Sequence, residues 1–200
     1  MNAEIIAVGS ELLSPQRVDT NSLWLTGQLN VLGVEVVMKT VVGDDRDRLA
    51  ATIRAAIQRS EIVVLTGGLG PTEDDVTRDA ASAALGLPLE LRQDVLDRIE
   101  ERFRRMGRTM AEINRRQAYV LSGAEVLPNP NGTAPGQWVD REGRIIVLLP
   151  GPPLELKPMF EASCISRFQQ RLPKAFIRTR FYRVAGMTES DLDQLISPVY

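Results

Sequence analysis

Three short apolar segments rich in β-branched residues alternate with segments of helical periodicity in the first 65 residues of this 200-residue chain. The predicted strands cover 4–8, 34–42 and 61–65, and the predicted helices cover 20–32 and 47–59. Strands that are joined through a helix run parallel, because an antiparallel pair needs only a hairpin. The pattern therefore predicts an α/β fold, a doubly wound, mostly parallel sheet with helices on both faces.

The remainder of the chain divides at residue 172. Helical periodicity is predicted from 75 to about 121, with breaks at 86–88 and 106–107. Strands are predicted over 137–140 and 144–149, and a helix from 153 to about 170. Residues 176–185 resemble a strand and 188–196 a helix, but a lone strand and helix cannot bury a core. We therefore expect an α/β domain over 1–172, which carries the active site, and part of a second, small α+β domain over 173–200.

The absence of histidine restricts the chemistry of the chain more than any other compositional feature. Histidine-dependent nucleophilic triads and HExxH zinc sites are excluded, and the one cysteine, Cys164, excludes an intrachain disulfide and a cysteine-cluster zinc site. Cys164 lies in a helical segment, where we expect inert packing. Any chemistry of the chain must therefore come from its other groups: carboxylates, hydroxyls, amides, Lys, Arg, backbone groups and a bound metal.

The charge balance argues against nucleic acid as the main partner. The chain has 24 basic and 26 acidic residues, a net charge of −2. Its arginine-rich stretch over 98–116 is interleaved with acidic residues, which predicts a salt-bridged solvent face. No apolar run approaches the ~20 residues of a membrane helix, and no secretory leader pattern precedes the first strand. We expect a soluble cytoplasmic protein.

Clusters of glycine and acidic residues follow each of the first three predicted strands, at 9–11, 43–45 and 66–75. Ligands of open α/β sheets bind outside the carboxyl ends of the strands, and glycines there allow a phosphate to approach the backbone. The third cluster lacks the Gly-Lys-Ser/Thr of a Walker A loop and the third glycine of a dinucleotide fingerprint. It therefore indicates a phosphate site of another type.

Two interpretations are open for the acidic residues that follow the third strand. Asp75 and Asp79 are four residues apart, so on a helix they would share one face, where their charges repel unless a cation joins them. Hard oxygen ligands of this kind suit Mg²⁺ or Mn²⁺. Alternatively, Thr72 is the N-cap of a helix and Asp75 completes a capping box.

Several separated motifs resemble those of one family. They are Glu4–Leu13, Asp19–Ser22, Thr66–Thr77, Asn131–Gly136 and Leu149–Glu155, in that order along the chain. In these motifs residues 3 to about 170 resemble the N-terminal, molybdopterin-binding-like domain of the CinA family of competence/damage-inducible proteins. Residues 186–192 resemble the start of the KH-like module that follows it.

The resemblance implies a metal-dependent pyrophosphatase that converts ADP-ribose to AMP and ribose 5-phosphate. It also implies a divalent ion (Mg²⁺, Mn²⁺ or Co²⁺), K⁺ as an activator, and a homodimer. Full-length members carry a C-terminal domain that hydrolyses nicotinamide mononucleotide amide, and that activity is not assigned to these residues.

Together, the clusters and the resemblance predict a set of site residues. The predicted catalytic residues are Asp44, Asp74 and Asp75, and the predicted metal ligands are Asp44, Asp75, Asp79 and Glu11. The predicted substrate-binding residues are Asn21, Gly67, Gly68, Gly70, Thr72, Asn131, Gly132, Thr133 and Lys157. Asp79 is either a ligand or a residue that only holds the loop. Asn21 alternatively caps the first helix, and Lys157 alternatively is a solvated charge.

Two other functions remain open from the sequence. The same fold serves proteins that bind or adenylylate molybdopterin, which would make this a molybdenum-cofactor protein. A non-enzymatic, DNA-associated binding module would rest on the arginine-rich stretch and the KH-like start, although the acidic pI near 5.4 argues against it.

Overall fold

The main sheet of the protein contains six strands. The computed structural model describes residues 1–172, 177, 180 and 182–199. The strands of this sheet are β1 Asn2–Val8, β2 Glu35–Val42, β3 Ile62–Thr66, β6 Glu125–Leu127, β7 Gly136–Arg141 and β8 Arg144–Leu149. They lie in the order β2-β1-β3-β8-β7-β6 across the sheet. Two further strands, β4 Leu89–Leu91 and β5 Tyr119–Leu121, pair with each other in a small antiparallel sheet.

Four adjacent strands of the main sheet are parallel and end at one edge. β1 pairs in parallel with β2 and β3, and β3 pairs in parallel with β8. The register aligns Val8 with Val42 and Thr66 with Leu149, so these strands finish together. β7 and β6 run antiparallel beside them. The predicted mostly parallel α/β fold is confirmed, and its carboxyl edge collects the loops that could carry a site.

Helices cover both faces of the sheet because neighbouring residues of the central strands point to opposite sides. The helices are α1 Thr20–Val31, α2 Arg46–Arg59, α3 Thr77–Leu85, α4 Gln93–Arg105, α5 Pro153–Met159, α6 Ile165–Arg171 and α7 Glu189–Ile196. Ile6 and Val63 pack in one apolar cluster with residues of α2, α3 and α4. Ile5 and Val64 pack in a second cluster with residues of α1, α5 and α6.

The second cluster contains three buried aromatic side chains, Trp138, Phe160 and Phe168, and the cysteine. The ring of Trp138 meets that of Phe168 edge-on at 4.8 Å, so Trp138 is a packing residue. Cys164 is fully buried there, and burial raises the pKa of its thiol to about 12. The thiol is therefore protonated at neutral pH, which confirms the expectation of inert packing.

The helical pattern expected from 75 to 121 is wrong in part, although the two expected breaks, at 86–88 and 106–107, do lie outside helices. The segment contains α3 and α4, but also β4, a 3₁₀ helix at Glu112–Ala118 and β5. Strands of three residues are too short to show a twofold hydrophobic alternation, and their pairing partners lie about 30 residues away in the sequence. Tertiary pairing decided these elements.

The C-terminal part of the structure supports less of the expected organisation. The predicted last helix of the α/β domain forms as α5 and α6, with a π turn at Phe160–Cys164 between them. α7 matches the second predicted element of residues 173–200. The predicted strand over 176–185 lies partly outside the described residues, and the described residues 182–185 do not form a strand. The domain boundary at residue 172 stays a prediction. None of the described helices is long and apolar enough to span a membrane.

The glycine that follows β3 yields the first test. A Cβ atom at Gly67 would overlap the carbonyl oxygen of Val8, and the φ angle of +103° is unfavourable for other residues. We therefore expect Gly67→Ala to lower the free energy of unfolding by about 2–4 kcal/mol. Urea denaturation followed by circular dichroism measures the change.

Gly27 provides the control for this substitution. It lies within α1, and a Cβ atom there would meet nothing within 4 Å. Gly27→Ala should raise the free energy of unfolding by about 0.5–1 kcal/mol, because alanine favours helix. Equal effects of the two substitutions would contradict the close approach of residue 67 to β1.

Candidate functional site

Two adjoining cavities lie at the carboxyl edge of the parallel strands. The first, here called the acidic cavity, has a volume of about 310 Å³. Its lining includes the carboxylates Glu11, Asp75 and Glu155, with Gln117, Thr133 and the glycine loop 67–70. The second, here called the side cavity, has a volume of about 280 Å³ and shares Glu11 and Gly151 with the first. No Lys or Arg lines the acidic cavity within the described part of the chain.

Two side chains from the start of α3 hold the glycine loop in place. The Thr77 hydroxyl donates to the Gly67 carbonyl at 2.8 Å. The guanidinium of Arg78, only 3 % exposed, donates to the carbonyls of Leu69 and Gly70 at 2.6 and 2.7 Å. Sequence reasoning missed Arg78, because nothing in its spacing separates it from a solvated arginine.

Burial lowers the pKa of the Arg78 guanidinium to about 10, and the negative charges of Asp75 and Asp79 act against that shift. The group therefore stays protonated at neutral pH. Asp75 and Asp79 accordingly stabilise a buried cation of the protein itself, which is a structural role that both carboxylates fill without any ligand.

Asp75 also organises the turn that precedes it. Its Oδ1 accepts from the Gly70 amide at 2.8 Å, and its Oδ2 accepts from the Thr72 amide and hydroxyl at 2.8 and 2.7 Å. A carboxylate has about four acceptor positions, two on each oxygen. Oδ2 is therefore saturated, and one position remains on Oδ1 for a water or a ligand.

These hydrogen bonds correct part of the predicted phosphate site. The Gly67 amide donates to the Leu149 carbonyl, and the Gly70 amide to Asp75, so neither is available to a phosphate. The amide and hydroxyl of Thr72 are engaged in the same way. Within the described residues, the amides of Gly68 and Leu69 have no acceptor, and they are the donors left to this loop.

The predicted helical pairing of Asp75 with Asp79 is wrong. α3 begins at Thr77, so Asp75 lies in the preceding turn and the two carboxylates do not share a helical face. Asp79 lines a separate cavity with Arg116 and Tyr119. Asp74 is exposed and lines neither cavity at the carboxyl edge. The capping-box alternative also fails, because the residue that precedes α3 is Val76 rather than Thr72.

Glu11 lies between the two cavities, with Asp44 behind it. Glu11 is in the 3₁₀ helix Ser10–Leu13 after β1, and it is exposed. Asp44 accepts from the Ser10 amide at 2.9 Å, while the Asp44 amide donates to the Ser10 hydroxyl at 3.0 Å. This reciprocal pair ties the loop after β2 to the 3₁₀ helix. Asp44 lines neither cavity and instead holds the 3₁₀ helix in which Glu11 lies.

The loop between β6 and β7 is organised by Asn129, which sequence reasoning missed. Its Oδ1 accepts from the amides of Asn131 and Gly132 at 3.1 and 2.7 Å. Those two amides therefore cannot bind phosphate as predicted, and the Asn131 side chain donates to the Leu154 carbonyl. Thr133 does line the acidic cavity, as its predicted role requires.

Two further residues of the acidic cavity were missed. Glu155, at the start of α5, accepts from the Asn129 amide group at 2.7 Å. Gln117 is 3 % exposed, and its Oε1 has no hydrogen-bond partner among the described residues. An unpaired buried acceptor costs about 1–3 kcal/mol. Glu155 lies within the 149–155 motif, whereas nothing in the sequence distinguishes Gln117.

The last two predicted binding residues lie away from the acidic cavity. Asn21 lines the side cavity, where its Nδ2 donates to the Gly151 carbonyl at 2.7 Å and its Oδ1 is buried without a partner among the described residues. Lys157 points to α1, with its Nζ 5.6 Å from the centre of the Trp24 ring, and lines neither cavity.

The described residues fit a divalent ion in one restricted way. No three Asp, Glu, His or Cys side chains of the described chain gather as a metal cage, so the four predicted ligands are not brought together. Mg²⁺ is commonly held by one or two carboxylates together with substrate phosphates and water. Glu11 and the open position on Asp75 Oδ1 offer hard oxygens of that kind on one cavity.

Residues 4–170 match the family described as "Probable molybdopterin binding domain". The whole chain is 62 % identical to the CinA-like protein of Solibacter usitatus and 50 % identical to that of Koribacter versatilis. It covers 48 % of the first relative and 49 % of the second, so it spans about half their length.

Solved structures agree with these matches. A crystal structure described as the protein CinA, of unknown function, from Thermoplasma acidophilum has a TM-score of 0.76 and 32 % sequence identity; the match covers 81 % of this chain and 96 % of that one. The molybdopterin biosynthesis enzyme MoaB from Thermus thermophilus has a TM-score of 0.52 over 84 % of this chain and 96 % of its own. At 18 % identity that second likeness concerns the fold alone.

The matched residues include the glycine loop, Glu11, Asp75 and Glu155 that form the acidic cavity. The chain belongs to the CinA family, and its residues 4–170 form a molybdopterin-binding-like domain.

Proposed function

We propose that this domain hydrolyses a nucleotide diphosphate with the help of a divalent cation, and that its substrate is ADP-ribose, cleaved to AMP and ribose 5-phosphate. One observation carries the proposal. Three carboxylates line the acidic cavity beside a glycine loop with two unengaged amides, and no basic side chain lines it within the described chain.

Electrostatics explains why a cation belongs to this proposal. Two like charges 4 Å apart repel by about 4 kcal/mol at an effective dielectric constant of 20. A diphosphate that enters a cavity lined by Glu11, Asp75 and Glu155 meets such repulsion on several sides. A divalent ion bound by Glu11 and Asp75 with the phosphate oxygens would neutralise the charge that develops on them.

The residues of the chain would bind the phosphates and accept the proton of the attacking water. The amides of Gly68 and Leu69 and the hydroxyl of Thr133 would donate to phosphate oxygens. Glu11 would accept a proton from the attacking water. The water oxygen bonds to one phosphorus while the bridging P–O bond breaks, so that the products are two phosphate monoesters.

The Asn129–Glu155 contact supports the placement of Thr133. Asn129 joins the 129–134 loop to α5 through Glu155 and also donates to the Ala134 carbonyl at 2.8 Å. Thr133 is therefore held against the cavity by an internal network and not by the substrate. A prearranged donor of this kind loses little entropy when the phosphate binds.

The family matches favour a second candidate, the binding of molybdopterin. Molybdopterin also carries a phosphate, so the glycine loop and Thr133 would serve it equally well.

The DNA-associated module has less support, because arginines of the 92–116 stretch are engaged with acidic residues. The ion pairs are Arg92–Asp94, Arg98–Asp94, Arg104–Glu101, Arg105–Glu101 and Arg116–Glu73.

Glu11→Gln tests the proposed reaction without disturbing the loop. Among the described residues only the backbone carbonyl of Glu11 accepts hydrogen bonds, from Ser14, so the substitution removes only the charge and basicity of its side chain. We expect kcat for ADP-ribose in Mg²⁺ to fall about 100-fold or more, with the melting temperature unchanged. Liquid chromatography of AMP formation measures the rate.

Glu73→Gln is the matched control. Glu73 is highly exposed, is paired with Arg116 and lines neither cavity of the carboxyl edge. Its replacement should leave kcat within a factor of two. If Glu11→Gln retains the wild-type rate, the assignment of Glu11 is contradicted.

Parallel incubations distinguish the two candidate functions. The wild-type domain is mixed with ADP-ribose, or with molybdopterin and ATP, each with Mg²⁺, Co²⁺, K⁺ or a chelator. We expect AMP and ribose 5-phosphate from ADP-ribose, with loss of turnover in the chelator, because the acidic cavity then repels the diphosphate. Mass spectrometry identifies the products. Adenylylated molybdopterin with intact ADP-ribose would contradict the proposal and support the second candidate.

A further inference from the structure

Two glutamines with buried side chains lie near the small β4–β5 sheet, and their hydrogen bonding differs. Gln137 in β7 is fully buried, and both ends of its amide group are paired: Oε1 accepts from the Leu121 amide at 2.9 Å and Nε2 donates to the Tyr119 carbonyl at 3.1 Å. Gln137 thus joins the small sheet to the main sheet. Gln117 is equally buried in practice, yet its Oε1 is unpaired among the described residues.

The unpaired oxygen of Gln117 belongs to a side chain that lines the acidic cavity. Burial separates this oxygen from bulk water, so in the free protein it lacks the hydrogen bond that water would supply. A bound partner that donates a hydrogen bond restores that interaction. Buried polar groups are satisfied in most protein interiors, and an unpaired acceptor beside a cavity can be satisfied by a water or by a ligand that enters that cavity. The fully paired Gln137 shows that this fold can satisfy a buried glutamine where the role is structural.

The chemistry of the cavity limits what can face Gln117. An amide oxygen accepts hydrogen bonds and donates none, and ionised phosphate oxygens likewise only accept. The amides of Gly68 and Leu69 and the Thr133 hydroxyl are therefore suited to phosphate oxygens, whereas the unpaired oxygen of Gln117 needs a hydrogen-bond donor. In a nucleotide diphosphate sugar the donors nearest the phosphates are the sugar hydroxyls.

We propose that Gln117 binds a sugar hydroxyl of the ligand through its amide oxygen, and so selects hydroxyl-bearing nucleotide ligands over bare phosphates in the acidic cavity. This inference rests on the proposed function, because it identifies which part of the substrate lies beside the 3₁₀ helix Glu112–Ala118. Gln117 is a binding residue in this proposal and takes no part in proton transfer.

Gln117→Leu, with Gln137→Leu as the matched control, tests the inference. Isothermal titration calorimetry in Mg²⁺ measures binding of ADP-ribose and of pyrophosphate, each as a methylene-bridged analogue that is not hydrolysed, and calorimetric melting measures the stability of the free proteins. For Gln117→Leu we expect ADP-ribose affinity to fall about tenfold, pyrophosphate affinity to change less than twofold, and the melting temperature to stay the same or rise. A purely structural glutamine would not give that combination.

Gln137→Leu should behave in the opposite way. It leaves the Leu121 amide and the Tyr119 carbonyl without their partner, so the melting temperature should fall by about 4–10 °C while the ratio of the two affinities stays constant. Gln117→Glu, which keeps an acceptor oxygen, should retain more of the ADP-ribose preference over pyrophosphate than Gln117→Leu.

The outcomes separate this inference from the proposed function. If Gln117→Leu keeps the wild-type preference for ADP-ribose over pyrophosphate, or melts at a lower temperature with both affinities reduced equally, the inference is overturned and the reaction assignment is not. If the wild type binds ADP-ribose through Gln117 but does not hydrolyse it, the reaction is overturned and the inference stands. A wild type that binds neither ligand contradicts both.

Discussion

The carbonyl oxygen of Val8 occupies the place that a Cβ atom at residue 67 would need, so the chain can leave β3 in this direction only through a glycine. That approach brings the loop over the end of β1, next to the 3₁₀ helix that carries Glu11. The Arg78 guanidinium then holds the loop through hydrogen bonds to the carbonyls of Leu69 and Gly70. The cavity at the carboxyl edge depends on this contact between backbones, and the side chains are arranged around it.

The acidic residues near this edge have different roles, although they look equivalent in the sequence. Asp44 and Asp75 accept hydrogen bonds from backbone amides and hold loops together. Glu11 and Glu155 line the cavity, and Asp79 faces a separate one. A carboxylate oxygen can bind a cation or a water only where the protein's own hydrogen bonds do not already occupy it. The number of acidic residues therefore overstates how many oxygen ligands the site can offer. Hydrogen bonds to the backbone decide which carboxylates remain available.

The fold was largely predictable, and the exceptions have a physical cause. The strands at 2–8, 35–42 and 62–66 are rich in Val and Ile and alternate with helices long enough to show their periodicity. The three-residue strands β4 and β5 show no such signal, because they are stabilised by pairing with each other, and β5 also by the side chain of Gln137. Local propensity could not reveal a contact between residues about 30 positions apart.

The sequence by itself determined the class of the fold, the edge of the sheet at which the glycine and acidic loops gather, and the exclusion of histidine and cysteine chemistry. These follow from periodicity, from composition and from glycines at strand ends, all of which are local properties. Only the tertiary structure decided that Asp75 precedes α3, that Asn129 occupies the amides of the 131–132 turn, and that Gln117 reaches the cavity without a partner. The reason is that a hydrogen-bonding group becomes available or engaged only through neighbours that folding brings from elsewhere in the chain.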